Sequence, residues 1–300
     1  MPSYVIVTDT DCSLPRDLAA RNSIRQVAIN LHFGDETVRA VEEIDDSGLF
    51  MRIGRTGRLP TSSAPSPGQF VEAYRDAFAA GADGVVCFCV SSKGSATFAA
   101  AQSACDLLPG HDITVIDTRS ATMAQGFMVL AAAEAAAAGA SKDEIIARAK
   151  SVGRRTHMFA ALASLHYLAL SGRITGLTAS MAELLDIRPV LTMRDGGLEM
   201  LERVRTERKS WSRVLDRTAE AAAGHPIERI AIVHSDARTR AGRFEQLLRE
   251  CMPCPDEIIM ADLTPGLSVV SGPGLVGVVI VTAGRSETTG LSGAAQPVEE

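Results

Sequence analysis

Aromatic residues are scarce. One Trp and three Tyr in 300 residues leave little for unpaired bases to stack on, which argues against a single-stranded nucleic-acid platform. Basic residues do not outnumber acidic ones. The net charge is −6, whereas affinity for a phosphate backbone needs a basic face. Long apolar runs are also missing: the Ala-rich stretch from Met128 to Gly139 is a dozen residues long and carries Glu134, too short and too polar to span a bilayer. Tyr4-Val5-Ile6-Val7 runs straight into Thr8-Asp9, too short for the apolar core of a secretory signal, so the expected compartment is the cytoplasm. No GxSxG, P-loop or HExxH pattern occurs. Gly272-Pro273-Gly274-Leu275-Val276-Gly277 matches GxGxxG in form only, because a strand follows it where a dinucleotide site needs a helix.

Six cysteines are present, and they offer no framework. Cys87 and Cys89 sit in an apolar run and read as small core residues. Cys251-Met252-Pro253-Cys254 is a lone CxxC with no second pair, and His225 and His234 stand at no ligand spacing. It reads as two loop thiols near a strand rather than a zinc or redox centre. No metal and no cofactor are expected.

What the chain does have is alternation. Tyr4–Val7, Gln26–His32, Val85–Val90 and Ile113–Ile116 are apolar runs of strand length. Helical stretches separate them. Ser13-Leu14-Pro15 supplies a cap and a first-turn Pro for one. Ser66-Pro67-Gly68-Gln69 and Ser141-Lys142-Asp143-Glu144 are capping boxes for two others. Ala121–Ala138 is apolar nearly all round and is expected to be buried. Such alternation predicts a mainly parallel sheet covered by helices over residues 1–155. The second half, 156–283, predicts a further α/β domain. It has a short helix at Ala179–Ile187, a hairpin over Asp195-Gly196-Gly197, a long amphipathic helix from Thr206 to Ala223, strands at Arg229–Val233, Glu257–Ala261 and Val276–Val281, and a helix from Thr239 to Glu250. Residues 284–300 are small and polar and read as a disordered tail.

Two hydroxyl-rich stretches open onto helices: Thr61-Ser62-Ser63-Ala64-Pro65-Ser66 and Ser91-Ser92-Lys93-Gly94-Ser95-Ala96-Thr97. Hydroxyls and free N–H groups at helix starts hold small anions such as a carboxylate or phosphate. Ser66 is accounted for by its capping box. Ser62 and Ser63 have no such local role. Ser95 stands where a helix begins, and capping accounts for it as well as ligand contact does. Thr8-Asp9-Thr10, Ser91–Ser95 and Asp117-Thr118 all follow strands, so in a parallel sheet they converge on the carboxyl edge where ligands sit. Asp9 and Asp11 read as turn formers before a metal or acid–base pair. His157, His166 and His234 lie among apolar residues and read as core. Arg173 and Arg205 stand on turns, where a cation can meet an anion.

In this order the motifs resemble the DegV family of bacterial lipid-binding proteins. The likeness rests on Ile6-Val7-Thr8-Asp9-Thr10, Ser62-Ser63-Ala64-Pro65-Ser66-Pro67-Gly68, Val90 to Thr97, Val115-Ile116-Asp117-Thr118, Gly172-Arg173-Ile174, Ile187-Arg188-Pro189-Val190-Leu191, Arg205-Thr206 and Ser271-Gly272-Pro273-Gly274. It implies two α/β domains enclosing one long-chain fatty acid between them, such as palmitate, with the tail in an apolar tunnel. The carboxylate would fall on Ser62, Ser63 and Ser95, with Lys93, Arg173, Arg205 and Ser271 around the head group. Some members present the fatty acid to a separate kinase for phospholipid synthesis. This chain departs from the pattern where the family has His-Thr before Gly-Pro-Gly: here stand Val270-Ser271, and Val270 cannot donate to a carboxylate. Ser62 replaces a Thr, and Lys93-Gly94 replaces Gly-Leu, setting a cation where it can substitute for the lost donor. The resemblance thus implies a lipid carrier in fatty acid metabolism with no chemistry of its own, and Val270 weakens its extension to a kinase partner. Two other classes stay open. One is an acyl hydrolase or transferase with Ser62, Ser63 or Ser95 as nucleophile, for which folding would have to bring in His166 or His234. The other is a lipid-sensing regulatory module.

Overall fold

The computed structural model describes residues 3–173 and 187–284. The chain begins with β1 (Tyr4–Asp9), a 3-10 turn (Thr10–Cys12), α1 (Arg16–Arg21), β2 (Arg25–Val27), β3 (Asn30–Phe33), β4 (Glu36–Arg39), α2 (Asp46–Thr56), β5 (Thr61–Ser63) and α3 (Pro67–Ala79). It continues through β6 (Gly84–Cys89), α4 (Thr97–Asp106), β7 (Asp112–Asp117), α5 (Thr122–Ala137), α6 (Lys142–Arg154), β8 (Thr156–Ala161) and α7 (His166–Ser171). After the gap come β9 (Arg188–Arg194), β10 (Gly197–Val204), α8 (Glu207–Ala222), β11 (Ile227–His234), α9 (Arg238–Cys251), β12 (Ile259–Asp262), α10 (Pro265–Ser271) and β13 (Val276–Thr282). Three sheets result, ordered β2-β1-β6-β7, β10-β9-β8-β13-β11-β12 and β4-β3-β5. The first is wholly parallel, as the alternation requires. The second is mixed: only β11 and β12 run parallel, and its other pairs are antiparallel.

Side-chain alternation shows how the sheets stack. On β6, Val86 and Phe88 face the cluster built around α5, while Val85, Cys87 and Cys89 face α3 and α4. On β13, Val279 and Val281 face α5, and Val276, Val278 and Ile280 face α8 and α9. Both strands are covered on two faces and therefore read as unbroken apolar runs. α5 lies between the two larger sheets, touching β1 and β6 on one side and β8, β11 and β13 on the other. This is why it lacks a polar stripe: every residue from Thr122 to Ala133 is buried. Each large side chain buried there is worth about 1.5–3 kcal/mol, which makes α5 the main apolar link between the sheets.

Local rules account for many boundaries. Both capping boxes form, at Ser66–Gln69 and Ser141–Glu144. The β9–β10 hairpin closes over Asp195 and Gly196, with φ of 51° and 83°, the twist-matched two-residue turn that Asp-Gly favours. A strand does follow the GxGxxG-like run, since β13 begins at Val276.

Other expectations are corrected. Ser13 does not cap α1: it closes the 3-10 turn at φ 53°, and Pro15 occupies the cap position. The run 26–32 is two strands in different sheets, since Gln26 pairs with Thr8 while Leu31 pairs with Ser62 and Val38. Residues 36–60, which show no clear element in the sequence, carry β4 and α2, the latter capped by Asp45 and stopped by Gly57 at φ 64°. Seven-residue α10 is a further element, too short to carry a sequence signal of its own. The helix expected at Ala179–Ile187 falls almost wholly outside the described residues, as do all of the tail beyond Gly284 and the turn beyond Arg173.

Candidate functional site

The three loops at the carboxyl edge of the parallel sheet are tied together through the chain's own polar groups. Asp9, fully buried at the end of β1, accepts from Val90 N at 2.7 Å on one oxygen and from Asp11 N at 2.9 Å on the other. Thr118 Oγ1 donates to Cys89 O at 2.8 Å, and Ser92 Oγ donates to Asp117 Oδ2 at 2.6 Å. Asp9 is the turn former expected, whereas the Asp11 carboxyl accepts from Thr264 Oγ1 at 3.1 Å, a partner 253 residues away. Burial pushes the Asp9 carboxyl up to about 6. Burial and the neighbouring Asp9 push Asp11 up to about 8, against the Thr264 hydroxyl and the Arg173 guanidinium. Among the described residues no three His, Cys, Asp or Glu side chains converge on a metal position.

The expected head-group residues have differing surroundings. Ser62 and Ser63 lie on β5, opposite Leu31 and Asn30 of β3. Ser62 is half-buried, and its hydroxyl has no hydrogen bond among the described residues. Ser63 is exposed and, contrary to expectation, has a local partner: its Oγ lies 2.8 Å from His32 Nε2, whose Nδ1 lies 2.8 Å from Thr37 Oγ1. Folding thus brings His32, rather than His166 or His234, to a loop serine. Ser95 is half-buried, accepts from Thr97 N at 3.3 Å and lies 2.8 Å from Thr97 Oγ1. It stands one position before the helix cap, Ala96, which has no side-chain acceptor. No hydrogen bond joins Ser95 to Ser62 or Ser63.

Val270 and Ser271 lie at the end of α10, a helix that packs on β3 and on β5, the strand that bears Ser62. Val270 itself is half-buried against the cluster of Ile29, Leu31, Ala40, Leu49 and Val269. Ser271 Oγ donates to Gly272 O at 3.3 Å. Arg173 is exposed, donates to Ser171 O at 2.8 Å and lies near enough to Asp11 to oppose its rise. Lys93 and Arg205 are exposed. His234 departs from the satisfied core residue expected: it is 1% exposed, yet neither ring nitrogen has a hydrogen-bond partner.

An apolar wall stands over the same edge. The tip of the β9–β10 hairpin is latched to it, with Ser91 Oγ donating to Gly196 O at 2.6 Å and Arg119 donating to Asp195 O. Leu198 pairs with Met193 and Met200 with Leu191, which sets all four on one face. That face packs on the α5 cluster and leaves Met193, Leu198 and Met200 partly open. The hairpin was legible from Asp-Gly. Its docking was not, because a 2.6 Å contact between residues 105 apart leaves no local signal. A separate cleft of about 1270 Å³ opens between the starts of α1, α2 and α9, and none of the expected head-group residues lines it.

Comparison with known proteins gives a consistent set of likenesses. A family model, DegV, described as an uncharacterised protein family, matches residues 3–283. A DegV domain-containing protein of Mycobacterium tuberculosis is 36% identical over 281 residues, 93% of this chain and 97% of its own. One of Streptomyces coelicolor is 34% identical over 275 residues, 92% and 97% of the two chains. Among solved structures, a DegV family protein from Thermus thermophilus, described by its fatty acid binding, superposes with a TM-score of 0.85 at 30% identity, covering 94% of this chain and 100% of that one.

Proposed function

This chain belongs to the DegV family, and from that premise we propose that it binds a long-chain fatty acid such as palmitate and carries it without acting on it. The observation that carries the reading is the whole-length likeness to the Thermus thermophilus fatty-acid-binding structure at 30% identity. Two local features support it. Ser62 offers a half-buried hydroxyl with no partner of its own, and the half-open Met193, Leu198 and Met200 offer an apolar path leading toward α5.

In this reading Ser62, Ser63 and Ser95 donate to the carboxylate. Ser63 must turn for that. With Thr37 donating to Nδ1, His32 donates from Nε2 to Ser63, and the Ser63 O–H, which donates to Ala64 O at 3.3 Å, would exchange that acceptor for the ligand. Lys93, Arg173, Arg205 and Ser271 would surround the head group, where a partner such as a fatty acid kinase would meet it. The tail supplies most of the affinity: about fourteen methylenes at ~0.8 kcal/mol each give on the order of 11 kcal/mol before costs. Hydrogen bonds to a charged acceptor add about 1.5–3 kcal/mol each, so the hydroxyls set orientation. Residues 1–155 and 156–283 would act as the two halves that enclose the chain.

Displacement of a fluorescent fatty acid by palmitate tests the proposal. Ser62→Ala and Ser95→Ala should each weaken palmitate by about ten- to a hundredfold, one hydrogen bond to a charged group. Uptake equal to wild type in the double variant would contradict it.

The Ser63–His32 contact favours one competitor, an acyl hydrolase. Its weakness is chemical. The group behind His32 is the Thr37 hydroxyl, which cannot stabilise an imidazolium as a carboxylate does. Ester turnover abolished by Ser63→Ala would establish that competitor.

A further inference from the structure

The cleft of about 1270 Å³ takes no part in the reading above. It lies where β11 and β12 end, against the first turn of α2, and seven carboxyl groups line it against three guanidinium groups. Several of these are already engaged: Asp17 with Arg21, Glu42 with the Arg39 guanidinium, Glu43 with Arg39 N at 2.6 Å, Asp45 as the α2 cap, and Arg240 with Glu207. Asp46, Asp236 and Asp262 remain.

Asp46 is the informative one. It is 6% exposed, and its Oδ2 accepts from Ser268 Oγ at 2.6 Å, a hydroxyl that in turn accepts from Ser235 at 3.0 Å. Its Oδ1 is buried with no partner. Beside it in the lining, both ring nitrogens of His234 are also unpartnered, although Nδ1 lies 3.2 Å from Asp262 Oδ1. Folded chains rarely leave buried polar atoms unpaired, because each costs about 1–3 kcal/mol. Three together beside a lined cleft point to a group that comes from outside the chain.

We propose that this cleft binds a small aliphatic diammonium cation, one ammonium on Asp46 and the other between Asp236 and Asp262. The chemistry narrows the choice. Among the described residues no three ligating side chains converge as a metal ion needs. A guanidinium wants both oxygens of a carboxylate, and Asp46 Oδ2 is committed to Ser268. An ammonium needs only single acceptors. Burial, with Asp262, Asp236 and Asp45 nearby, also pushes the Asp46 carboxyl up to about 8, a strain that an arriving cation relieves. Of the guanidinium groups, Arg16 and Arg238 are exposed, so Asp46, Asp236 and Asp262, none of them paired with an Arg or Lys, outnumber the two cations left in the lining.

Isothermal titration of the full chain at low ionic strength, with 1,4-diaminobutane, magnesium chloride and inorganic phosphate as separate probes, tests this. The expected result is saturable 1:1 diamine binding that weakens at least tenfold in Asp46→Asn and in Asp262→Asn. Asp262 is exposed, so its variant separates binding from folding. Palmitate uptake should be unchanged in Asp262→Asn, which keeps this site distinct from the lipid site. Absence of saturable diamine heat, equal affinity in both variants, or magnesium or phosphate binding that is lost in them instead would each overturn the proposal.

Discussion

Ser62 and Ser63 are sequence neighbours with opposite situations: the first is half-buried and unbonded, the second exposed and held by His32. Strand alternation separates them, and the 31-residue return to β3 supplies the histidine. Val270 belongs to the same neighbourhood through α10, so restoring a donor there has a defined consequence. Val270→His should tighten palmitate about tenfold, near the value of one hydrogen bond to a charged acceptor. Unchanged affinity in a displacement titration would remove position 270 from the head group. Asp46 supports a prediction about pH. Its carboxyl rises from 3.8 to about 8 on folding, so the folded state binds that proton more tightly than the unfolded one. Stability from this group is fully present below about 3.8 and is lost as pH rises to about 8. Asp46→Asn should therefore raise the melting temperature relative to wild type at pH 8 and not at pH 4, as calorimetry at both pH values would show. At this scale the turn at Asp9 and the Ser66 and Ser141 caps were legible, because their partners lie within a few residues of sequence. His32 and His234 were not, since their partners, or lack of them, depend on strands that meet only in the fold.

Elements with their own start and stop signals were readable: α3 and α6 by capping boxes, the β9–β10 hairpin by Asp-Gly, and α5 by its lack of a polar stripe. α2 and α10 escaped. The first does space Leu49, Phe50 and Ile53 onto one helical face, but Gly48 and Gly54 interrupt it, and the second, at seven residues, is too short to show a period. Two elements carry tests. In α5, a Cβ at Gly126 would stand 2.8 Å from Cys12 O and 3.1 Å from Met123 Sδ, so the helix is pressed against the 3-10 turn. Gly126→Ala should cost about 1–3 kcal/mol through overpacking, seen as a melting temperature lowered by several degrees. The hairpin is held at its tip by the Ser91 hydroxyl. Ser91→Ala should speed release of a bound fatty acid in a stopped-flow transfer assay. An unchanged rate would mean that the hairpin is not part of the exit path.

Across the whole molecule, two larger sheets share α5, and the small β4-β3-β5 sheet meets α10, which also touches α7, α2 and the 3-10 turn. Alternation in the sequence revealed the parallel sheet, because strands covered on both faces must be apolar throughout. It could not reveal that the second sheet is largely antiparallel, since buried strands look alike in either direction. Among the described residues no helix is long and apolar enough to cross a membrane. A ligand of the proposed kind, bound only by the folded chain, would stabilise it by mass action, about 2.7 kcal/mol at a hundredfold excess over Kd. The same affinity would keep it bound through purification. Mass spectrometry of the purified protein under native and then denaturing conditions, with solvent extraction of what is released, tests the central claim most directly. The account predicts one long-chain fatty acid per chain, and a protein that is empty and stays empty after incubation with palmitate and oleate would contradict it.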